Sequence, residues 1–435
     1  MLRTLRSTVL SVLVAITTVV TSMAVLTEGS AQAATGAIAL PLHVTGRTVY
    51  QSNGRPITFL GVNISGMEYG DGHALTLRDL IKHVSVRTGY ITPEVRAQFT
   101  RYQDPKDHSK SPYAVYDNVA KWGFNTVRVP ISWANLEPKK PTVVKGATVH
   151  HWNTAYLAAL DQIVQQFSDR HIMVILDMHQ AQMSPVLKSP KGKLSGAGLP
   201  TWLFPSSTAP SGGWTDSALR YEFLVDKVGQ SGMATVWSML AGRYKSDPYV
   251  VGADVFNEPG QRAPLFPGHP AVQFPGNYVN SMYSTMANAI RSANPNLLLM
   301  FEEQSPTAKL PLTSSGQPFS NSVFSAHVYP PPGDNGIALV APHVAAARAD
   351  NVPFWLGEFR VPCTLPDANT SGCPAVSNVN SLPDINSNQA SSLSGLMSYL
   401  KRAKVSWTYW DYQALAYYGH GNARPLLLKT LKAGT

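Results

Sequence analysis

The sequence predicts an α/β protein built as a single (β/α)8 TIM barrel with long loop insertions after strands 1 and 3. Eight short apolar runs alternate with segments that carry apolar residues at helical spacing, which is typical of parallel strands joined by helices. The strand runs are apolar almost without interruption, as expected of strands that are buried on both faces. A count of eight strands favours a closed barrel over an open sheet.

The elements of this barrel follow one another along the whole chain. The predicted strands are residues 57–63, 125–130, 172–177, 250–256, 297–301, 322–327, 353–358 and 405–410. The predicted helices are residues 113–122, 156–170, 221–244, 277–294, 340–350 and 389–402. The two long segments without such a pattern, 65–111 and 182–215, are the expected insertions. No repeat and no linker to a second domain is evident.

The first 33 residues have the pattern of a signal peptide. Arg3 and Arg6 form a basic start, an apolar stretch follows, and Ala31-Gln32-Ala33 is a small-x-small cleavage site. The apolar stretch contains several Thr and Ser residues and falls short of the ~20 apolar residues of a membrane span. We therefore expect cleavage after residue 33, a secreted protein and one barrel domain over 34–435. An uncleaved membrane anchor is the alternative.

Composition and cysteine content narrow the function classes. The chain of 435 residues has a net charge of +9, but it carries no dense Lys/Arg block, so a nucleic-acid partner is not expected. The two cysteines, Cys363 and Cys373, are too few for a structural zinc site. In an exported chain they are most simply a disulfide that closes the loop after the seventh strand.

Polar residues end nearly every predicted strand, where barrel enzymes place their chemistry. Asn257-Glu258-Pro259 follows the fourth strand, and Glu358 ends the seventh. Two carboxylates that flank a glycosidic bond can act as proton donor and nucleophile. Taken singly, Asn-Glu-Pro could be a turn, and Arg128 could be a structural ion-pair partner. The remaining residues at strand ends are Asn63, Asp177, His179, Glu302, Glu303, His327, Tyr329 and Trp410.

These residues resemble glycoside hydrolase family 5, the cellulase family, over nearly the whole chain after residue 33. The resemblance is carried by Arg128 in Arg-Val-Pro, His179 in Asp-Met-His-Gln, Asn257-Glu258-Pro259, His327-Val328-Tyr329, Gly357-Glu358-Phe359 and Trp410. The segment Gly198-Leu199-Pro200-Thr201-Trp202, in the insertion after the third strand, is similar to the endoglycoceramidase-related branch of the family. The resemblance implies that residues 34–435 are a glycoside hydrolase catalytic domain.

The resemblance also implies a role for each residue. Glu258 is expected to be the general acid/base, with a raised pKa, and Glu358 the nucleophile of a retaining double displacement. Metal ions and cofactors are not needed for this chemistry. The expected substrate-binding residues are Arg128, His179, Asn257, His327, Tyr329 and Trp410. Glu302 and Glu303 match no family role and are expected at the cleft edge or in a structural position.

The sequence leaves the substrate open. The first expectation is an endo-acting hydrolase of a β-glucan, and the alternative is an endoglycoceramidase-like hydrolase of a glycolipid or another β-glycoside. A non-catalytic carbohydrate-binding barrel is a remote alternative, since both carboxylates are present. Trp133 and Trp202 are expected at outer sugar subsites. A carbohydrate is the expected partner, with no membrane span after signal cleavage and a monomeric state.

Overall fold

The computed structural model describes residues 38–68, 114–180, 183–187, 197–210, 212–259, 276–303, 309–361, 384–415 and 424–433. These residues contain thirteen strands. In chain order they are β1 (Leu42–Thr45), β2 (Thr48–Gln51), β3 (Pro56–Ile57), β4 (Leu60–Asn63), β5 (Thr126–Ile131), β6 (Lys139–Val144), β7 (Ala147–His151), β8 (Met173–Met178), β9 (Val250–Asp254), β10 (Leu298–Glu302), β11 (Ser322–Val328), β12 (Phe354–Phe359) and β13 (Ser406–Tyr409).

Eight of these strands close into a parallel barrel, in the order β4, β5, β8, β9, β10, β11, β12 and β13. The ring closes where Trp407 of β13 pairs with Leu60 of β4. Strand residues are buried on both faces almost throughout, because helices cover the outside and side chains fill the inside. The predicted barrel, its eight strands and their order are confirmed.

Helices surround the barrel, as the alternating pattern predicts. In chain order they are α1 (Ala114–Lys121), α2 (Trp133–Leu136), α3 (Thr154–Ser168), α4 (Asp216–Leu224), α5 (Gln230–Arg243), α6 (Gly276–Ala293), α7 (Ile337–Ala349), α8 (Ser387–Ala403), α9 (Tyr412–Leu415) and α10 (Pro425–Lys432). No described helix has the length and apolar character of a membrane span.

One predicted helix, residues 221–244, is two helices in the structure. Gly229 separates α4 from α5 and has a φ of 85°, a left-handed conformation that side chains rarely adopt. A Cβ atom at this position would also lie 2.8 Å from Leu203 Cδ1. Helical periodicity in the sequence does not reveal this break, because the break depends on the backbone conformation of a single glycine.

Two small antiparallel sheets were not predicted. The sheet β1–β2–β3 packs against one end of the barrel interior, where Leu42 and Val49 join a buried cluster with Phe59, Met173 and Trp355. The second sheet is the hairpin β6–β7, which follows the barrel strand β5 and the short helix α2. Of the two expected insertions, the first falls almost wholly on residues outside the described part of the chain.

Residues 37–435 form one compact unit. This unit contains all eight barrel strands and both buried hydrophobic clusters of the described residues. A domain with its own complete core is expected to fold alone.

Gly61 of β4 gives a test of barrel packing. A Cβ atom at Gly61 would lie 1.8 Å from the backbone oxygen of Thr126, so Gly61→Ala must push β4 away from β5. We expect it to lower the free energy of unfolding by at least about 3 kcal/mol in urea denaturation. Gly242→Ala is the matched control, because a Cβ there meets nothing within 4 Å and the position is helical. It should stabilise the protein by up to about 1 kcal/mol; equal behaviour of the two variants would contradict this packing.

Candidate active site

A buried arginine organises the carboxyl ends of the barrel strands. Arg128 lies on β5, and its side chain has no solvent exposure. Its guanidinium contacts residues from five other strands or strand ends. The contacts are Asp254 at 2.8 Å, Glu358 at 2.6 Å, Asn257 at 2.8 Å, Asp177 at 3.0 Å, Glu302 at 3.3 Å and Asn63 at 3.1 Å. Arg128 therefore joins both predicted catalytic strands to their neighbours.

The charge of Arg128 is compensated within the protein. Burial alone would lower the pKa of Arg128, but the charges of Asp177 and Asp254 raise it well above the ordinary value. Burial in turn raises the pKa of Asp254 and of Glu302, against the influence of the arginine. A buried cation that lost one of these partners would be left poorly solvated, so the network holds together as a unit.

Glu358 lies on β12 and is almost completely buried. Its Oε1 accepts a hydrogen bond from Arg128 Nη1 at 2.6 Å, and its Oε2 accepts one from the hydroxyl of Tyr329. A register shift between Ala326 and His327 places His327 opposite Glu358. Both oxygens of Glu358 are thus fixed in position by donors, as a nucleophilic carboxylate requires.

Glu258 follows β9 and is held through its backbone. Its N–H donates to Glu302 Oε2 at 2.8 Å, and its carbonyl accepts from Arg220 Nη1 at 2.7 Å. The residue has a φ of 45°, an uncommon conformation for a side-chain-bearing residue. The side chain is 35% exposed, whereas that of Glu358 is 4% exposed. Of the two carboxylates, that of Glu258 is therefore the more accessible to a ligand in the cleft.

The expected raised pKa of Glu258 is not found, and His327 is the reason. Burial alone would raise this pKa, but the hydrogen bond and the charge of His327 lower it to about 2. His327 Nδ1 lies 3.0 Å from Glu258 Oε1. Burial alone would also lower the pKa of His327, yet Glu302 and Glu358 raise it well above 6.5. In the free site the proton consequently resides on the imidazole rather than on the carboxyl.

The two glutamates lie close together across the site. One carboxylate oxygen of Glu258 and one of Glu358 are within 4.8 Å of each other, and a nitrogen of His327 lies within the same distance of both. This places the predicted acid and the predicted nucleophile in one small cluster.

His179, Asn257 and Trp410 complete the expected set. Asp177 accepts a hydrogen bond from His179 Nδ1 at 2.7 Å. Burial would lower the pKa of His179, but the charge of Asp177 raises it to about 9. The His179 ring stacks on Trp410 with ring centroids 5.5 Å apart. Asn257 is held from both ends, by Arg128 at its oxygen and by the carbonyl of Gln180 at its amide nitrogen.

Glu302 was expected at the cleft edge or in a structural position, and the structure places it inside the network of Arg128. It is buried and lies 3.1 Å from His327 Nε2. It also contacts Arg128 and the backbone of Glu258. Glu303 has the structural position expected, because its carboxylate bonds His343 Nε2 at 2.7 Å, away from this network. Strand alternation, which turns neighbouring residues to opposite faces, is the signal that separates them.

Glu68 is a buried carboxylate that the sequence pattern did not indicate. It is fully buried, and its carboxylate accepts from Ser65 Oγ at 2.6 Å and from the Gly66 N–H at 2.5 Å. Burial raises its pKa, and the charge of His179 lowers it in part. Glu68 lies in the loop after β4, where the sequence shows no strand or helix pattern to orient it.

Within the described part of the chain, two groups of three residues have the spacing of metal ligands. They are Asp254 with Glu302 and His327, and Glu258 with His327 and Glu358. The guanidinium of Arg128 already contacts Asp254, Glu302 and Glu358 at 3.3 Å or less. A divalent cation placed in either group would adjoin this charge, so we assign the clusters to hydrogen bonding.

The two tryptophans expected at outer subsites differ in exposure. Trp133 is fully buried, with its indole N–H bonded to Glu137 at 3.1 Å, so its predicted sugar contact is wrong. Trp202 packs edge-on against Trp133 and is partly exposed. It lines a cavity of about 360 Å³ together with Phe204, Trp214 and others. Cys363 and Cys373 lie outside the described residues, and their disulfide remains a prediction.

Comparison with curated proteins gives relatives of two kinds. An endoglucanase of Paenibacillus polymyxa is 26% identical over 45% of this chain and 40% of its own length. An endoglycoceramidase of Hydra vulgaris is 25% identical over 49% of this chain and 46% of its own. Endoglycoceramidase I of Rhodococcus hoagii is 25% identical over 71% of this chain and 60% of its own length. The chain thus spans between 40% and 60% of the length of these relatives.

Solved structures share the barrel. A crystal structure of endogalactoceramidase superposes with a TM-score of 0.58 at 21% identity, covering 86% of this chain and 75% of that one. The catalytic domain of the major endoglucanase from Xanthomonas campestris gives a TM-score of 0.51 at 16% identity, covering 91% of this chain and 99% of that domain. At these identities the likeness concerns the fold.

The family model of cellulase, glycosyl hydrolase family 5, matches residues 96–415. This range runs from before α1 to the end of α9 and includes Arg128, Glu258, His327, Glu358 and Trp410. The chain belongs to glycosyl hydrolase family 5, the cellulase family.

Proposed function

We propose that this enzyme is a retaining, endo-acting β-glycosidase in which Glu358 is the nucleophile and Glu258 the general acid/base. The observation that carries the proposal is the approach of the two carboxylates to within 4.8 Å of each other. Retaining glycosidases have carboxyl groups ~5–5.5 Å apart, whereas inverting enzymes leave ~6.5–9.5 Å for a water molecule. The approach of one oxygen of Glu258 to one oxygen of Glu358 supports the retaining class.

The first chemical step follows from the geometry around Glu358. A carboxylate oxygen of Glu358 attacks the anomeric carbon, and the bond from that carbon to the leaving oxygen breaks as a covalent glycosyl-enzyme forms. Arg128 and Tyr329 hold the two oxygens of Glu358 by hydrogen bonds. In the second step water attacks the anomeric carbon from the face that the leaving group occupied, opposite Glu358. The bond to Glu358 breaks, and two successive inversions keep the configuration of the sugar.

The proton for the leaving group is stored on His327. In the free site His327 carries the proton and Glu258 is ionised, with a pKa of about 2. The 3.0 Å contact between them lets the proton pass to Glu258 as the leaving oxygen gains negative charge. His327 and Glu258 therefore act as one acid. In the second step Glu258 accepts the proton of the attacking water.

Substrate contacts are assigned to the side chains around this pair. Asn257 would hydrogen-bond the 2-hydroxyl of the reacting sugar, a contact that strengthens in the transition state. Trp410, which is half-buried and backed by His179, would lie against the C–H face of the same sugar. Tyr329, with 43% exposure, forms part of the wall that a ligand can reach.

Two substrate classes compete, and we favour a glycolipid headgroup over a β-glucan chain. The alignment with an endoglycoceramidase of Rhodococcus hoagii covers 334 residues, whereas the alignment with an endoglucanase covers 198. Trp133, expected to be a platform for an outer sugar, is buried and unavailable for stacking. A cellulase-like action on β-glucan is the second candidate, supported by the slightly higher identity to the endoglucanase. Assay of the purified enzyme on both substrates decides between them.

We also propose that the protein is secreted after cleavage at residue 33, as the basic start and the Ala31-Gln32-Ala33 site support. Mass spectrometry of the protein from culture medium should find residue 34 at the N-terminus and Cys363 linked to Cys373.

Variants of the two carboxylates test the assigned roles. Glu358→Gln should reduce kcat by at least about 10⁴-fold on every substrate, because the nucleophile is lost. Glu258→Ala should slow natural glycosides by about 10²- to 10⁴-fold but have a far smaller effect on aryl glycosides with good leaving groups. Glu303→Gln is the control, since Glu303 bonds His343 outside the site. Proton NMR should show the β-anomer of the product first; an α-anomer would exclude retention.

The pH profile of kcat/KM tests whether His327 and Glu258 share one proton. In the wild type, activity should persist until His327 loses its proton, well above pH 6.5. In His327→Asn the proton must reside on Glu258 itself. The alkaline limb of the variant's pH profile should therefore lie at least about one pH unit below that of the wild type. His171→Asn is the control, because His171 precedes β8 at the opposite end of the barrel. An unchanged alkaline limb in His327→Asn would contradict the shared proton.

A further inference from the structure

The hairpin β6–β7 is exposed on both of its faces. Every residue from 142 to 149 is exposed, and the two strands form a sheet of their own, separate from the barrel. The turn consists of Lys145 and Gly146, with φ values of 51° and 81°, so Val144 pairs directly with Ala147. Positive φ at both turn positions is the geometry of a tight two-residue hairpin. The ribbon therefore has a defined shape without cover on either side.

The exposed residues of this hairpin include three valines. Val143 is 73% exposed, Val144 51% and Val149 39%. They are three of the five large hydrophobic residues that are exposed in the described part of the chain. Val144 and Val149 lie on one face of the ribbon and Val143 on the other, so both faces near the tip expose apolar side chains. Single exposed hydrophobic side chains are ordinary, but three on one short ribbon mark an interaction surface.

The charge of the hairpin has one sign. Residues 138–153 contain Lys139, Lys140 and Lys145, together with His150 and His151, and no Asp or Glu. The lysines are exposed. Lysines that flank exposed aliphatic side chains are the composition of elements that bind at the surface of anionic lipid.

The base of the hairpin is firmly attached to the catalytic face. Glu137 precedes β6, and its carboxylate accepts from Trp133 Nε1 at 3.1 Å and contacts His150 Nδ1 at 2.7 Å. Its backbone carbonyl accepts from Trp202 Nε1 at 2.9 Å. Because β5 leads into this region from its carboxyl end, the hairpin lies at the same end of the barrel as Glu258 and Glu358.

The chemistry of the hairpin favours lipid over carbohydrate. Sugars are bound by flat aromatic faces, and residues 142–149 include no aromatic residue. Aliphatic side chains contribute instead by entering the acyl boundary, where their burial is favourable, while nearby lysines remain at the headgroups.

We propose that the β6–β7 hairpin docks the catalytic face onto an anionic lipid surface, with Val143, Val144 and Val149 entering the interface and Lys139, Lys140 and Lys145 contacting the headgroups. Docking goes beyond the proposed hydrolysis, because it requires no turnover. It would hold the enzyme at a surface on which glycolipid headgroups are displayed.

Vesicle sedimentation of residues 37–435 tests the proposal. The wild type should bind phosphatidylcholine vesicles containing phosphatidylglycerol at least about tenfold more tightly than pure phosphatidylcholine vesicles, and high salt should weaken this binding. Replacing Lys139, Lys140 and Lys145 with Gln should weaken binding to the anionic vesicles by at least about tenfold. Replacing Val143, Val144 and Val149 with Ser should do the same, through lost apolar burial.

Matched variants separate this surface from general charge. Lys121, Lys245 and Lys309 are exposed lysines outside the hairpin, and changing all three to Gln should leave vesicle binding within about twofold of the wild type. All variants should hydrolyse a soluble aryl β-glycoside at the wild-type rate, which also shows that they fold. Absence of wild-type binding, or equal loss in the control triple variant, would overturn the proposal. Light scattering that shows a dimer, lost in the valine variant, would assign the hairpin to a second copy instead.

Discussion

The site depends on one buried guanidinium. Arg128 has no solvent around it, and its charge is balanced by carboxylates from several strands, among them Asp254 and Glu358 at 2.8 and 2.6 Å. Each of these carboxylates would in turn be costly to bury without the arginine. The arginine and the carboxylates therefore require one another, and the barrel must close correctly for any of them to be stable. Closure also fixes Glu358, the proposed nucleophile, within hydrogen-bonding distance of Arg128.

Much of this arrangement could be predicted from the sequence, because the order of the strands along the chain determines where each strand end lies in the barrel. Parallel strands end at the same face, so a polar residue after an apolar run can be placed there before any contact is known. Arg128, Asn257, Glu258, His327 and Glu358 are brought together in this way. The strand bounds agree with the prediction to within a few residues, since apolar runs buried on both faces are difficult to mistake.

What could not be predicted depends on contacts between residues distant in sequence. The pKa of Glu258 was expected to be raised from its role, but it is set by His327, a residue 69 positions away. Strand alternation turns Glu302 and Glu303 to opposite faces, but the contacts of Glu302 with Arg128 and His327 depend on residues from other strands. Trp133 looked like a sugar platform, and its burial is decided by Glu137 and Trp202. The β6–β7 hairpin has too few apolar residues in alternation to resemble a buried strand.

The pairing of β13 with β4 closes the ring by joining strands from opposite ends of the chain, Trp407 beside Leu60. No barrel can exist during synthesis until the last of its strands has left the ribosome, although six strands between them are already available to pair with their neighbours. Arg128 on β5 and Glu358 on β12 lie on opposite sides of this closing pair of strands, so their contact depends on a closed ring. The cleft is therefore complete only when the last barrel strand of the chain has paired with the first.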